Sequence, residues 1–405
     1  MYVKKLKSSG AVLLVLTVAQ FFALTLWFNA TAVIPQLIPY YDLSQNDVDL
    51  LSMTVTVGFV VGCMISSLFN LPDVIKTKNI FTFSALAGGL SNAVSSFSPS
   101  FSGVVVCRFL TGIFLAGVYP TGMKLAVTWF REGRGYAVGL IIAALTAGSG
   151  LPYLFNLTYF PDWRIIMNVS TVLAVIGGLL VWIFVDEGPY DAGVARFDPS
   201  NIGQIVRNKA LRLASYGYFG HMWELYAMWV WIPSFLRDSY LHSHPGSDST
   251  LFFSMGTFLV FIGGAIATSF GGKIADTYGR TTFNIIMLAL SGVSSLVIGL
   301  LFDKPIIALL IAVFWGMTVI PDSPQYSSMI AELVEPAYVG TALTLQTAVG
   351  FMLTLLSIKI LPIFVKVVGW SYGFTILFPG PVIGIISLYR LRKLPDSEKI
   401  AMGKR

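Results

Sequence analysis

Long apolar runs separated by short clusters of turn residues and charges organise this chain from end to end. About 20 apolar residues carry a helix across a hydrocarbon core. Twelve runs reach that scale: 10–38, 48–70, 79–98, 101–130, 135–157, 163–185, 210–236, 251–272, 281–302, 305–331, 339–366 and 369–391. The breaks carry their own signals, among them Asp42 to Asp49, Pro72 to Lys78, Arg131 to Arg134 and Asp303 to Pro305. The first run follows Lys4, Lys5 and Lys7 like the start of a signal peptide. Its length exceeds that of a cleaved apolar region, so it reads as a retained first helix.

Composition narrows the class. Apolar residues make up 55% of the 405 and charged residues 11%, with a mean hydropathy of +0.76. Soluble domains carry about 25% charged residues. An ordinary soluble enzyme, a disordered chain and a secreted disulfide scaffold are therefore excluded, and an integral membrane protein remains. Cys63 and Cys107 both sit in apolar runs and read as small buried residues. The net charge of +6 reflects cations holding membrane orientation rather than a nucleic-acid surface. With the N-terminus inside, nineteen Lys and Arg fall on the inner side and five on the outer. Both termini are thus expected in the cytoplasm, with the chain in the plasma membrane. There is no G-x-x-x-x-G-K-[ST], no G-x-S-x-G and no Cys/His cluster. His242 and His244 lack companions for a metal site. No enzyme activity, cofactor or metal is expected.

The longest hydrophilic stretch, Asp186 to Lys209, divides the spans into two sets of six. The expected layout is a bundle over 1–185, a cytoplasmic linker over 186–209, a second bundle over 210–391 and a tail over 392–405. Features recur in the same order at about half the chain length. Asp73 matches Asp276, Gly135 matches Gly340, Trp163 matches Trp370 and Ile34-Pro35 matches Ile232-Pro233, at offsets of 203, 205, 207 and 198. The fold class read from this is an all-α polytopic membrane protein with twelve transmembrane helices in two pseudo-symmetric six-helix bundles.

These features resemble the major facilitator superfamily along almost the whole chain. Gly272-Lys273-Ile274-Ala275-Asp276-Thr277-Tyr278-Gly279-Arg280 is similar to the family's G-x-x-x-D-x-x-G-R loop. The first-half copy keeps Asp73 but has Phe69 and Lys76 at the glycine positions. Arg108-x-x-x-Gly112 followed by Gly117-Val118-Tyr119-Pro120 resembles the family's fourth helix. Gly148-Ser149-Gly150-Leu151-Pro152 has the glycines of the antiporter signature without its Gly-Pro pair. The pattern of Pro120, Lys124 and Trp129 resembles anion symporters, and the chain as a whole resembles nitrate, nitrite or cyanate permeases. The resemblance implies a secondary transporter working by alternating access. It also implies that Asp276, Gly279 and Arg280, with Asp73, form a cytoplasmic latch between conformations.

An ionisable side chain deep in a span is expensive and is a functional candidate by default. Glu224 falls at the middle of span 7, with His221 one turn away, and Gly217, His221, Glu224, Met228 and Trp231 share one helix face. Asp322 lies in Pro321-Asp322-Ser323-Pro324-Gln325 of span 10, where two prolines weaken the backbone ladder. Glu224, Asp322 and His221 are the expected proton-coupling groups. Arg108 is permanently charged, so its candidate work is to hold an anion or pair with a carboxylate. Arg108, His221, Met228, Trp231, Gln325, Trp27 and Asn29 are the expected substrate contacts.

The expected activity is proton-coupled secondary transport of a small-molecule substrate, with an anion favoured, by a monomer in the lipid bilayer. The alternatives are a proton-driven exporter of apolar or aromatic compounds, suggested by the 30 Phe, 9 Trp and 13 Met, and a membrane sensor that binds without transporting. The topology is directly testable. A cysteine placed at Ser243 should react with an impermeant maleimide added outside intact cells, and one placed at Ser200 should not. The opposite labelling pattern would invert the orientation.

Overall fold

The computed structural model describes residue 6 and residues 8–69, 71–130, 134–157, 162–190, 202–335 and 338–404, apart from the side chains of residues 72, 73 and 134. Asp73, expected in the latch, thus lies outside the described residues. All regular structure among the described residues is helical. Twelve long helical stretches follow in order: α1 (Ser9–Leu26), α2 (Gln45–Leu68), α3 (Thr77–Ser96), α4 (Phe101–Thr128), α5 (Gly135–Phe155), α6 (Trp163–Phe184), α7 (Lys209–Ser243), α8 (Thr250–Tyr278), α9 (Arg280–Leu301), α10 (Pro305–Leu333), α11 (Val339–Val368) and α12 (Trp370–Leu391). Ten of them are long and apolar enough to cross a membrane. The other two, α3 and α7, are long but more polar. They bury that polarity inside the protein: Ser84, Asn92, Ser95 and Ser96 on α3, His221 and Glu224 on α7.

Several boundaries differ from the apolar runs. Span 7 continues to Ser243, two turns beyond the expected 236, so Arg237 lies on a helix and bonds Asp238 at 3.0 Å. Apolarity ends where lipid ends, but helical hydrogen bonding need not. The G-x-x-x-D-x-x-G-R segment is helical up to Tyr278, and Gly279 alone makes the joint to α9, at φ 97°. Only glycine takes that backbone conformation without a steric penalty. The first run is divided: α1 tightens to a 3₁₀ turn at Leu24–Leu26, and short helices Asn29–Ala32 and Ile34–Tyr41 follow.

The chain separates into two compact units, Met1–Val194 and Ala195–Arg405. Each repeats one internal pairing scheme. In the first unit α2 packs on α4, α3 on α4 and α6, and α1 on α5 and α6. In the second α8 packs on α10, α9 on α10 and α12, and α7 on α11 and α12. The repeat is closest in α4 and α10, both of which are broken. Phe101–Leu115 corresponds to Pro305–Val319 at an offset of 204, and Tyr119–Thr128 and Ser323–Leu333 begin at the same offset. Pro120 and Pro324 occupy the same position at the start of the second segment, where a missing N–H costs least.

Small residues set the crossings. A Cβ added to Gly58 would meet the Phe109 carbonyl, and one added to Gly112 would meet the Val55 carbonyl, so α2 and α4 touch backbone to backbone. Gly264 and Gly316 make the same contact between α8 and α10. In lipid, where water drives little association between helices, such close approach is a main source of packing energy. Gly112→Leu and Gly316→Leu should each lose about 1–3 kcal/mol of stability, because overpacking must push two backbones apart. Thermal unfolding in detergent measures this, with Gly203→Ala, where a Cβ meets nothing within 4 Å, as the control that should leave the midpoint unchanged.

Candidate functional site

The polar centre of the first unit forms where α1 breaks. Arg108 of α4 is 1% exposed. Its guanidinium donates to the carbonyls of Leu26 at 2.6 Å and Trp27 at 3.0 Å, and to Asn92 Oδ1 at 2.7 Å. Asn29, just past the break, donates to the same Asn92 oxygen at 2.9 Å. The Asn92 amide then donates to the Met167 carbonyl at 2.7 Å and Thr171 Oγ1 at 3.0 Å on α6. Five helical segments, α1, Asn29–Ala32, α3, α4 and α6, thus meet on one side-chain network. Among the described residues no carboxylate is a partner of Arg108, and its Nε is buried without a partner there. The structure therefore holds a desolvated positive charge by neutral oxygens alone, leaving one guanidinium edge unused. Trp27 is buried against the Phe59 ring at 4.9 Å, so its side chain packs while its carbonyl serves Arg108.

A second cation of this unit is arranged differently. Arg164 borders a cleft of about 660 Å³ with Pro35, Gln36, Pro39, Tyr40, Asp162 and Trp163. It lies 3.3 Å from Asp162 and donates to Tyr40 Oη at 2.6 Å, so a carboxylate already balances its charge. An anionic ligand would gain less there than at Arg108.

The second unit gathers titratable groups instead. His221 Nδ1 on α7 lies 3.0 Å from Asp322 Oδ1 at the break of α10, both buried. Tyr326 donates to Asp322 Oδ2 at 3.2 Å and packs its ring against His221 at 5.6 Å. Glu224 is fully buried one turn along α7 but has other partners. Its Oε1 accepts from Trp315 Nε1 and its Oε2 from Ser291 Oγ, each at 2.8 Å. The shared face of Glu224 and His221 therefore does not make them a pair: α10 supplies the partner of His221, and α9 with α10 those of Glu224. Among the described residues no cation is a polar partner of Glu224. A buried carboxyl held by neutral donors can carry or release a proton without breaking an ion pair.

The remaining candidates divide. Met228 is fully buried on α7. Trp231 donates its indole N–H to the Ile358 carbonyl on α11 at 2.9 Å, which makes it a helix-to-helix tie. The Gln325 amide oxygen accepts from Arg280 at 2.6 Å, so that oxygen is occupied by protein. Arg280 also reaches Asp276 at 2.9 Å and Glu332 at 3.2 Å, knotting the ends of α8, α9 and α10 together. Asn92, Tyr326, Trp315, Ser291 and Glu332 were not among the expected site residues. Asn92 was legible as a lone amide in an apolar stretch. Ser291 and Trp315 gave no local signal, because their role depends on which helix faces α7.

The model of the Major Facilitator Superfamily matches residues 16–354. The uncharacterized MFS-type transporter YybF of Bacillus subtilis is 25% identical over 236 residues, covering 56% of each chain. A Cupriavidus necator protein named "probable sulfoacetate transporter SauU" is 21% identical over 234 residues, covering 53% of each. The chain spans about half the length of the curated relatives it matches. Over nearly the full length, the crystal structure of the human organic anion transporter MFSD10 superimposes with a TM-score of 0.73 at 14% identity, covering 95% of this chain and all of that one. That likeness concerns the fold. With most of its length matched by the family model, and with helices paired alike in its two units, the chain belongs to the major facilitator superfamily.

Proposed function

We propose that this protein is a proton-coupled secondary transporter of a small organic anion, working by alternating access of its two halves. The observation that carries the reading is the isolated charge of Arg108. A guanidinium in a low-dielectric interior costs several kcal/mol unless an opposite charge offsets it. Among the described residues no carboxylate is its partner, so a carboxylate or sulfonate ligand would supply what is missing, using the fork of donors that arginine offers. The narrower resemblance to nitrate, nitrite and cyanate permeases would make the anion inorganic. The sulfoacetate name of one relative supports the organic alternative.

Coupling is assigned to the second unit, with Glu224 as the group that loads and releases the proton and the His221–Asp322 pair beside it. Glu224 bridges α7, α9 and α10 through neutral donors. A change in its protonation would therefore alter the bonds linking three helices. Arg280, Asp276 and Gly279 act as the latch that sets the balance between conformations, which accords with their knot at the helix ends.

Uptake into proteoliposomes of carboxylates, each compared with its own carboxamide, tests the substrate class. Carboxylates should be taken up and carboxamides excluded. Arg108→Lys keeps a charge but loses the fork, and should reduce carboxylate uptake at least about tenfold, in line with the worth of a charge-assisted bond. Equal uptake of acids and amides by the native protein would rule out the anion reading. For coupling, Glu224→Gln should retain substrate exchange across a vesicle with no pH gradient while losing accumulation driven by one. Normal gradient-driven accumulation in Glu224→Gln would make the residue structural.

A further inference from the structure

We propose that the segment Pro395–Gly403 is a strap that clamps the lower half of α10 and thereby slows the opening of the Arg280 knot. After α12 the chain turns back, with Arg392 donating to Thr282 Oγ1 near the start of α9 at 2.9 Å. The segment then packs along Ser323–Leu333, burying Ser397, Ile400 and Ala401. Its tip inserts a backbone donor into the knot: the Ala401 N–H donates to Glu332 Oε2 at 3.1 Å. Lys404 donates to the Asp276 carbonyl at 3.0 Å, on the other side of the same cluster.

The backbone at this tip is strained. Ala401 and Met402 have φ of 47° and 55°, in the left-handed region that side-chain-bearing residues avoid. Such a residue persists only where its surroundings hold it. Met402 is almost fully exposed, so burial of its own side chain does not compensate. What the conformation achieves is delivery of the Ala401 N–H to Glu332. Glu332 in turn holds Arg280, and Arg280 holds Gln325, which follows the break carrying Asp322. Ser323–Leu333 hinges at that break and is the part of α10 the strap covers. A hydrogen-bonded chain therefore runs from the strap to the segment beside the His221–Asp322 pair.

The effect of the strap on turnover rests on the transport reading above. The clamp itself does not, so the test reads amide hydrogen exchange in the full-length protein in nanodiscs and needs no substrate. In the native protein the amides of 397–402 should be protected. Ala401→Pro removes the donor and cannot adopt φ 47°. It should release 397–402 and speed exchange at the Gly279 and Phe283 amides of the α8–α9 joint at least about tenfold, as expected for the loss of one hydrogen bond to a charged acceptor. Ala401→Gly keeps the donor without strain and should leave the joint as protected as in the native protein, or more so. Glu332→Gln provides an independent route if the proline variant fails to fold, and should also speed exchange in 397–402. Free-peptide exchange rates in the native segment would overturn the proposal. So would release of 397–402 with no change at Gly279 and Phe283, or a Glu332→Gln strap that exchanges at the native rate.

Discussion

Two backbone carbonyls, those of Leu26 and Trp27, receive their hydrogen bonds from a guanidinium on another helix. Non-helical backbone at membrane depth survives only where protein or water satisfies it, since each unpaired group costs several kcal/mol. Arg108 therefore permits α1 to break, and the break puts Asn29 where it can share the Asn92 oxygen. The break in α10 follows the same rule with different donors, as Asn284 reaches the Asp322 carbonyl at 3.4 Å. In both units, an interrupted helix is tied to its neighbours by side chains that would be too costly to bury alone.

Around these ties the helices cross at glycines, and the crossings repeat between the units. The contacts of Gly58 with α4 and of Gly264 with α10 bring backbones together in corresponding places. The broken α4 and α10 follow at one constant offset. The polar contents nevertheless diverge. The first unit centres its network on the buried guanidinium of Arg108, whereas the second buries Glu224, Asp322 and His221 within one turn of each other along α7 or at the break of α10 that faces it. The proposed division, anion recognition in one half and proton handling in the other, rests on this difference within a repeated frame. Binding that favoured one conformation would then shift a two-state equilibrium by its differential affinity alone.

The expectations from sequence held where a signal was local. Apolar runs marked the spans because about 20 residues must cross one thickness of hydrocarbon. Pro321 and Pro324 foretold a weakened ladder, and α10 breaks there. Asp276 and Arg280 of the expected latch lie four apart on one segment, and they pair. The expectations failed where a partner came from another helix. Glu224 and His221 lie on one face of α7, yet Glu224 is hydrogen-bonded to Ser291 and Trp315 and His221 lies 3.0 Å from Asp322, all more than sixty positions away. Gln325 looked free to meet a ligand until Arg280 occupied its oxygen.

The sequence by itself determined the class of molecule, the number and order of its spans, the repeat and the short list of deep polar residues. Each of these follows from composition or from spacing along a single helix. Tertiary structure alone decided that Arg108 has no carboxylate partner among the described residues, that Asp322 rather than Glu224 faces His221, and that the tail reaches Glu332. The physical reason is the same in each case. A buried polar group is defined by the atom opposite it, and in a helical bundle that atom belongs to a helix whose rotation and register are set by packing at distant glycine crossings.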